Sequence, residues 1–229
     1  MSDSLQRKVT ALLQILERRY GKVERPVLAP PPTSADADAV AAVAAKNNQI
    51  VAGVVLGLHG PPMEGSEAAR KLMAHFVDWN EVRVSRPTTL VAVLGRQPRA
   101  PARIALLQRF LEAYFIQQRN LNLDYLYSLK NSEVRRFLSD LEIFSREELA
   151  AMLLAGFGIA VFPPAEMLHN MVNLTKLLKD GTTTLQMAKK LETVFDFETL
   201  YSLYAHLYAL AYDSEGQKIV SKRRGNRKK

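Results

Sequence analysis

The feature that most restricts this chain is the punctuation between Leu141 and Asn170, in LEIFSREELAAMLLAGFGIAVFPPAEMLHN. Ser145 stands three residues before Glu148, the spacing of a capping box, and an apolar run opens at Leu149. Gly156 and Gly158 end that run, since glycine adopts the left-handed backbone of a helix C-terminus without a Cβ clash. Pro163 and Pro164 then set a corner that leads into another helix. The stretch reads as turn, helix, glycine break, proline corner and helix, which commits this part of the chain to helices joined by short connections.

The remaining sequence follows the same grammar. Ser4 to Tyr20 places Leu5, Val9, Leu12, Leu13 and Leu16 on one face, and Gly21 stops it. Arg25 to Asp38 is rich in proline and small polar residues and reads as a surface connector. Asp36 or Asp38 caps a helix over roughly 37–57 that is alanine-rich and then solidly apolar. His59 to Gly65 reads as a turn, with Ser66 capping a helix to about Val77. Pro87 to Leu94 reads as a short helix begun by Ser85 or Arg86 and ended by Gly95. Pro101 to Arg119 carries a stripe of Ile104, Leu107, Leu111 and Phe115. Leu121 to Leu129 alternates like a strand, but its helical surroundings favour a helical turn. Ser132 to Leu138, Thr182 to Val194 and Phe197 to Tyr212 complete an all-α pattern. On the last helix Leu200, Leu203, Leu207 and Leu210 form a seam beside Tyr201, Tyr204 and Tyr208. Two readings stand for that helix: a core face with phenols reaching polar partners, or a base-stacking or partner surface.

The chain has 229 residues and no cysteine, which removes disulfides and thiolate metal sites and fits a reducing cytoplasm. The longest apolar run, Ile50 to Leu58, is far short of the ~20 residues that span a bilayer, so no membrane partner is expected. Net charge is +8, but its distribution matters more than its size. Seven of the 31 basic residues lie in 218–229 (Lys218, Lys222, Arg223, Arg224, Arg227, Lys228 and Lys229), a segment without an acid. The other 24 face 23 acids, so the body is near neutral and the basicity belongs to a tail. Such a tail is a solubilising end or a non-specific nucleic-acid contact with strong salt dependence. Arg96, Arg99, Arg103, Arg109, Lys130, Arg135 and Arg136 either line a cleft or sit on solvated helix faces. Histidines 59, 75, 169 and 206 lack zinc-ligand spacing, and Gly53, Gly57 and Gly60 lack the context of a phosphate loop. No metal and no cofactor are expected.

The order Leu, turn, helix, GFG, VFP, helix resembles the endonuclease III branch of the helix-hairpin-helix DNA glycosylase superfamily. There the hairpin reads roughly L-P-G-V-G-x-K-x-A and a V-D-T-H-like motif follows the next turn. The phrase Phe76-Val77-Asp78-Trp79-Asn80-Glu81-Val82-Arg83 resembles the same region of bacterial endonuclease III-like sequences. The resemblance runs from about Asn48 to Tyr212. It implies an all-α, two-lobed fold with a DNA cleft, and chemistry at C1′ of a flipped nucleotide. In that family an aspartate supports the cationic sugar, and in bifunctional members a lysine attacks C1′ and forms a Schiff base.

Carried over residue by residue, the resemblance puts the lysine position on Glu147 and the aspartate position on Ala165, with Glu166 next door. A carboxylate cannot form a Schiff base, and a methyl group offers no charge. The two hairpin glycines, whose amides meet a DNA phosphate in the family, align with Ile143 and Ser145. The glutamine that fills the gap left by the flipped base falls on Leu58. The cysteines that hold an iron–sulfur cluster in many members have no counterpart in Tyr212 to Lys229.

The sequence thus predicts an N-terminal helix (1–24), a proline-rich linker (25–38), a two-lobed endonuclease III-like domain without an iron–sulfur cluster (39–213) and a basic tail (214–229). The expected protein is a pseudoenzyme. It meets double-stranded DNA non-specifically through Lys222, Arg223, Arg224, Arg227, Lys228 and Lys229 and the hairpin at Ile143 and Ser145, in the cytoplasm or on the nucleoid. One alternative is a monofunctional DNA N-glycosylase of base excision repair using Glu166. Another is a structural or protein-interaction module.

Overall fold

Helix boundaries in this chain fall where the caps are. The computed structural model describes residues 2–28, 30, 37–58, 60–95 and 99–222. Among them there is no strand, and thirteen helices follow in order. They are α1 (Ser2–Tyr20), α2 (Ala37–Gly57), α3 (Pro62–Met73), α4 (Trp79–Val84), α5 (Pro87–Leu94), α6 (Ala100–Gln118), α7 (Asp124–Ser128), α8 (Asn131–Asp140), α9 (Arg146–Phe157), α10 (Glu166–Thr175), α11 (Thr184–Glu192), α12 (Phe197–Ala211) and α13 (Ser214–Lys222). Asp78 caps α4 by accepting from Glu81 N at 2.8 Å, and Asp196 caps α12 by accepting from Thr199 N at 2.8 Å. Thr183 and Gln186 cap α11 reciprocally. Gly21 and Gly95 end α1 and α5 with positive φ of 82° and 73°, as their sequence positions predict.

The chain divides into two compact units. The first comprises residues 1–25, 146–154 and 158–229, and the second 26–145 and 155–157. In the first, α12 packs against α1, α10 and α13. Its leucine seam is wholly buried with Val9 and Leu16 of α1 and Leu168 and Val172 of α10. Tyr201, Tyr204 and Tyr208 are buried too, so they form core rather than a base-stacking or partner surface. Burial pushes the Tyr201 phenol up to about 12 and drives Tyr204 well above the ordinary range, where Tyr208, Tyr201 and Glu147 add repulsion. His206 is also wholly buried, with Nε2 3.0 Å from the Gly21 carbonyl and Nδ1 2.7 Å from that of Ser202. Its role is to tie α12 to the end of α1.

Asp213 performs a second closure in this unit. Its Oδ1 accepts from the amides of Glu215 and Gly216 at the start of α13, and its Oδ2 from Tyr20 Oη at 2.8 Å and Arg19 Nε at 2.5 Å. Arg19, the Gly216 amide and Tyr20 hold the Asp213 carboxyl far below the usual carboxylate range. The amide capping also makes residues 214–222 of the basic tail helical.

The second unit is organised by α2 and α3. An ideal Cβ on Gly65 of α3 would lie 2.1 Å from the Gly53 carbonyl oxygen and 2.5 Å from the Gly57 amide nitrogen of α2. The two backbones meet where only hydrogen fits. This overturns the reading of 59–65 as a turn capped at Ser66: α3 opens at Pro62, with Pro61 as its N-cap, and Gly65 and Ser66 lie inside it. By length and composition α2 is long and apolar enough to cross a membrane, a property hidden when only Ile50 to Leu58 is counted. Its second half, Val51 to Gly57, is instead buried in this unit, in contact with α3 and α6. On α6, Ile104, Leu107 and Leu111 are buried as the stripe predicts, and Phe115 is half-buried. Asn48 of α2 fixes the segment after α6, donating to Leu121 O at 2.9 Å and accepting from Leu123 N at 3.0 Å. That segment contains the short helix α7 rather than a strand.

Two outcomes follow. Gly65→Ala forces backbone apart and should cost about 1–3 kcal/mol, the range for overpacking, whereas Gly57→Ala, whose new methyl meets nothing closer than 3.4 Å, should cost much less. Urea unfolding of the two variants measures this. For Asp213 the folded pKa is depressed, so its stabilisation is present above the unfolded value of about 4 and is lost as pH falls through the folded pKa. The stability gap between the wild type and Asp213→Asn should therefore narrow steadily below about pH 4, as read by thermal unfolding across pH.

Candidate functional site

The hairpin positions belong to the second unit. Between α8 and α9 the chain turns through Leu141 to Ser145, and Leu141 is buried. The left-handed residue of this turn is Glu142, with φ of 52°, and neither Ile143 nor Ser145 has positive φ. That is the conformation expected where a β-branched side chain replaces glycine, since Cβ sterics exclude it from the left-handed region. Phe144 anchors the turn by packing against Phe110 of α6, with ring centroids 5.9 Å apart. Arg109, one residue earlier on α6, donates from Nη2 to the Ile143 carbonyl at 3.2 Å. The turn is thus held by one aromatic contact and one charged donor, and it presents the acid Glu142 on its exposed side.

Glu147 and Ala165, the positions that the resemblance assigns to a lysine and an aspartate, belong to the first unit. Glu147, in the first turn of α9, is half-buried, and the Tyr208 hydroxyl lies 3.4 Å from its Oε1. Helix α9 ends at Phe157, and Gly158 closes it at φ of 63°, with Ile159 N donating to Leu153 O at 3.0 Å. The Arg25 guanidinium lies 3.0–3.3 Å from where a Cβ on Gly158 would stand, so glycine is required there twice over, by backbone and by space. Arg25 also stacks over the Phe197 ring at 5.5 Å. The corner that follows is pinned by Phe162 N, which donates to Glu192 Oε1 of α11 at 2.8 Å. Ala165 is the N-cap of α10 and is wholly buried; its carbonyl accepts from His169 N at 3.0 Å. Glu166, one residue on, is exposed in the first turn, where the helix dipole favours an acid.

Other residues singled out in the sequence scatter. Leu58 is buried in the second unit. Arg103 neither lines a cleft nor sits in solvent: it is 2% exposed, and its Nη2 contacts Glu64 Oε2 at 2.8 Å. Its Nε and Nη1 have no hydrogen-bond partner among the described residues. Gly60 makes this burial feasible, since a Cβ there would lie 2.0 Å from Nη2. His169 is structural, with Nε2 2.5 Å from the Thr182 carbonyl. Lys222 ends α13, while His59, Arg96, Arg223, Arg224, Arg227, Lys228 and Lys229 lie outside the described residues.

One feature of the second unit had no clear forerunner in the sequence. A groove of about 650 Å³ runs between the first half of α2 and the start of α4, lined by Ala41, Ala44, Asn48, Trp79, Asn80 and Phe115 among others. The Phe76 to Arg83 phrase supplies part of it, and Val77 there is 92% exposed. Only the tryptophan and the exposed valine of that phrase hint at it, because its other walls come from helices far along the chain.

Among the described residues no cluster of three or more histidines and acids is placed to hold a metal ion. An iron–sulfur cluster does not fit this chain, since its thiolate ligands have no source in a sequence without cysteine.

No protein-family model matches the sequence, and no curated protein matches it. Among solved structures the chain is similar to an endonuclease III trapped as a covalent intermediate with DNA, an estranged-adenine complex. The TM-score is 0.53 at 11% sequence identity, over 89% of this chain and 84% of that one. The chain has an endonuclease III-like fold, all-helical among its described residues.

Proposed function

We propose, from a chain with the endonuclease III-like fold, that the protein is a DNA-associated pseudoenzyme that has kept the glycosylase frame and lost its reactive groups. The observation that carries this reading is Ala165. It stands at the head of α10, its methyl wholly buried at the N-cap, at the position that the resemblance assigns to an aspartate. A cationic sugar developing at C1′ would find no charge there. Glu147, in place of the Schiff-base lysine, has no electron pair suited to form an imine and is already next to the Tyr208 hydroxyl. At the hairpin, Ile143 and Ser145 replace the glycines, and the Ile143 carbonyl is engaged by Arg109. DNA contact then falls to electrostatics, through Lys222, Arg223, Arg224, Arg227, Lys228 and Lys229, and sequence specificity is not expected. The protein would act in the cytoplasm or on the nucleoid, alongside base excision repair rather than as its catalyst. A second reading is supported by one observation. Glu166 is exposed at the helix start beside Ala165, so a monofunctional glycosylase would use it as the substitute carboxylate.

Incubation with abasic-site duplex and borohydride should trap no adduct, and damaged duplexes should release no base; a trapped adduct or a released base overturns the pseudoenzyme reading. If base is released and Glu166→Gln abolishes release while the fold is kept, the second reading holds. Binding to undamaged duplex, followed against salt, should be steeply salt-dependent. Changing Arg223, Arg224, Arg227, Lys228 and Lys229 to glutamine should flatten the log–log slope by up to about 4.5, at ~0.9 for each phosphate no longer neutralised. An unchanged slope would remove the tail from the DNA interface.

A further inference from the structure

The first unit contains a second concavity, lined by neither Glu147 nor Ala165. It measures about 370 Å³ and is lined by Ser4, Leu5 and Lys8 of α1, by Leu177, Leu178 and Lys179 of the connection after α10, and by Lys190, Thr193 and Val194 at the end of α11. Its walls are aliphatic where they are apolar. Its cations number three, and no acid lines it. None of the three lysines makes an ion pair among the described residues. The acids nearest in sequence are engaged elsewhere: Asp180 binds Lys176 Nζ at 2.9 and 3.1 Å, and Glu192 accepts from Phe162 N. Asp3, beside Ser4, is exposed and outside the lining. A groove in which half-buried Leu5, Leu178 and Val194 stand beside three exposed ammonium groups, with no acid in its lining, is complementary to an occupant that is both apolar and acidic.

We infer that this groove docks an acidic peptide segment of a partner protein, carrying leucine-like anchors flanked by carboxylates. The volume suits two or three aliphatic side chains and lies at the low end for small-molecule sites. The three ammonium groups arise from three separate segments, an arrangement that suits carboxylates spaced along a peptide better than the single head group of a fatty acid. Nucleic acid is the poorer occupant, because the lining offers no aromatic ring for base stacking and no arginine for bidentate phosphate contact. The binding mode is that of apolar anchors in a groove with charge complementarity at its rim. It is independent of the DNA reading and requires nothing of Ala165 or the hairpin.

The test uses full-length protein and a fluorescein-labelled peptide of repeated Glu-Glu-Leu-Leu units, with fluorescence anisotropy read at ~0.15 M salt, where only close charges interact strongly. Two triple variants carry the same change in charge: Lys8, Lys179 and Lys190 to glutamine in the groove, and Lys222, Lys228 and Lys229 to glutamine in the tail. The groove triple should weaken binding about tenfold, the combined effect of three exposed ion pairs, while the tail triple leaves it nearly unchanged. Leu178→Asn should also weaken it, and circular dichroism melting confirms that each variant is folded. Equal loss in the two triples, equal binding of a Glu-Glu-Ser-Ser peptide, or saturable binding of laurate without peptide binding would each overturn the assignment.

Discussion

Where Gly65 of α3 meets α2, no atom larger than hydrogen fits between the two backbones, and the second unit is arranged around that contact. Gly65 approaches Gly53 and Gly57 so closely that a methyl group would overlap a carbonyl oxygen. Bringing the helices together buries Val51 to Leu56 of α2 with Ala68, Ala69 and Leu72 of α3. The same approach leaves Gly60 against the Arg103 guanidinium, so that a charged side chain is enclosed near the crossing with Glu64 as its partner. Removing the half-exposed Glu64 carboxylate would leave the enclosed guanidinium without its ion-pair partner.

The first unit is held by a different device. Its α12 is apolar over most of its circumference, with the leucine seam and the tyrosine row both buried, and polar groups close its ends. His206 reaches the carbonyl of Gly21, while Asp213 takes the side chains of Arg19 and Tyr20 as well as the first amides of α13. These long-range contacts bind the first helix of the chain to the last ones, although nearly the whole of the second unit lies between them in sequence. A helix as apolar as α12 specifies burial but not register; the polar closures select one arrangement.

Much of this architecture is legible in the sequence. Pro87 and Gly95 bound α5, Gly21 ends α1, Asp196 caps α12 and the GFG and proline corner separate α9 from α10, because propensity and capping act within a few residues. The endonuclease III-like fold is legible through the order of those signals, with the chain matching a solved endonuclease III over most of its length at 11% identity. Ser66 misleads because its cap-like spacing competes with Pro62, which favours the first helical turn more strongly through its fixed φ. Arg103 misleads because a cation's burial depends on a distant glycine and a distant glutamate. The two grooves stay hidden for the same reason: each is walled by segments that touch only after folding.

By itself the sequence determined most of the helices and several of their ends, the absence of thiolate chemistry, and the identities of Glu147 and Ala165 where the resemblance would place a lysine and an aspartate. These are properties of single residues and their near neighbours. Tertiary structure alone decided that Gly65 is a crossing point rather than a turn, that Arg103 is enclosed, that the tyrosines of α12 are core, and that Lys8, Lys179 and Lys190 surround one aliphatic groove. Burial and charge clustering are sums over neighbours in space, and a linear chain fixes those neighbours only once its helices have packed.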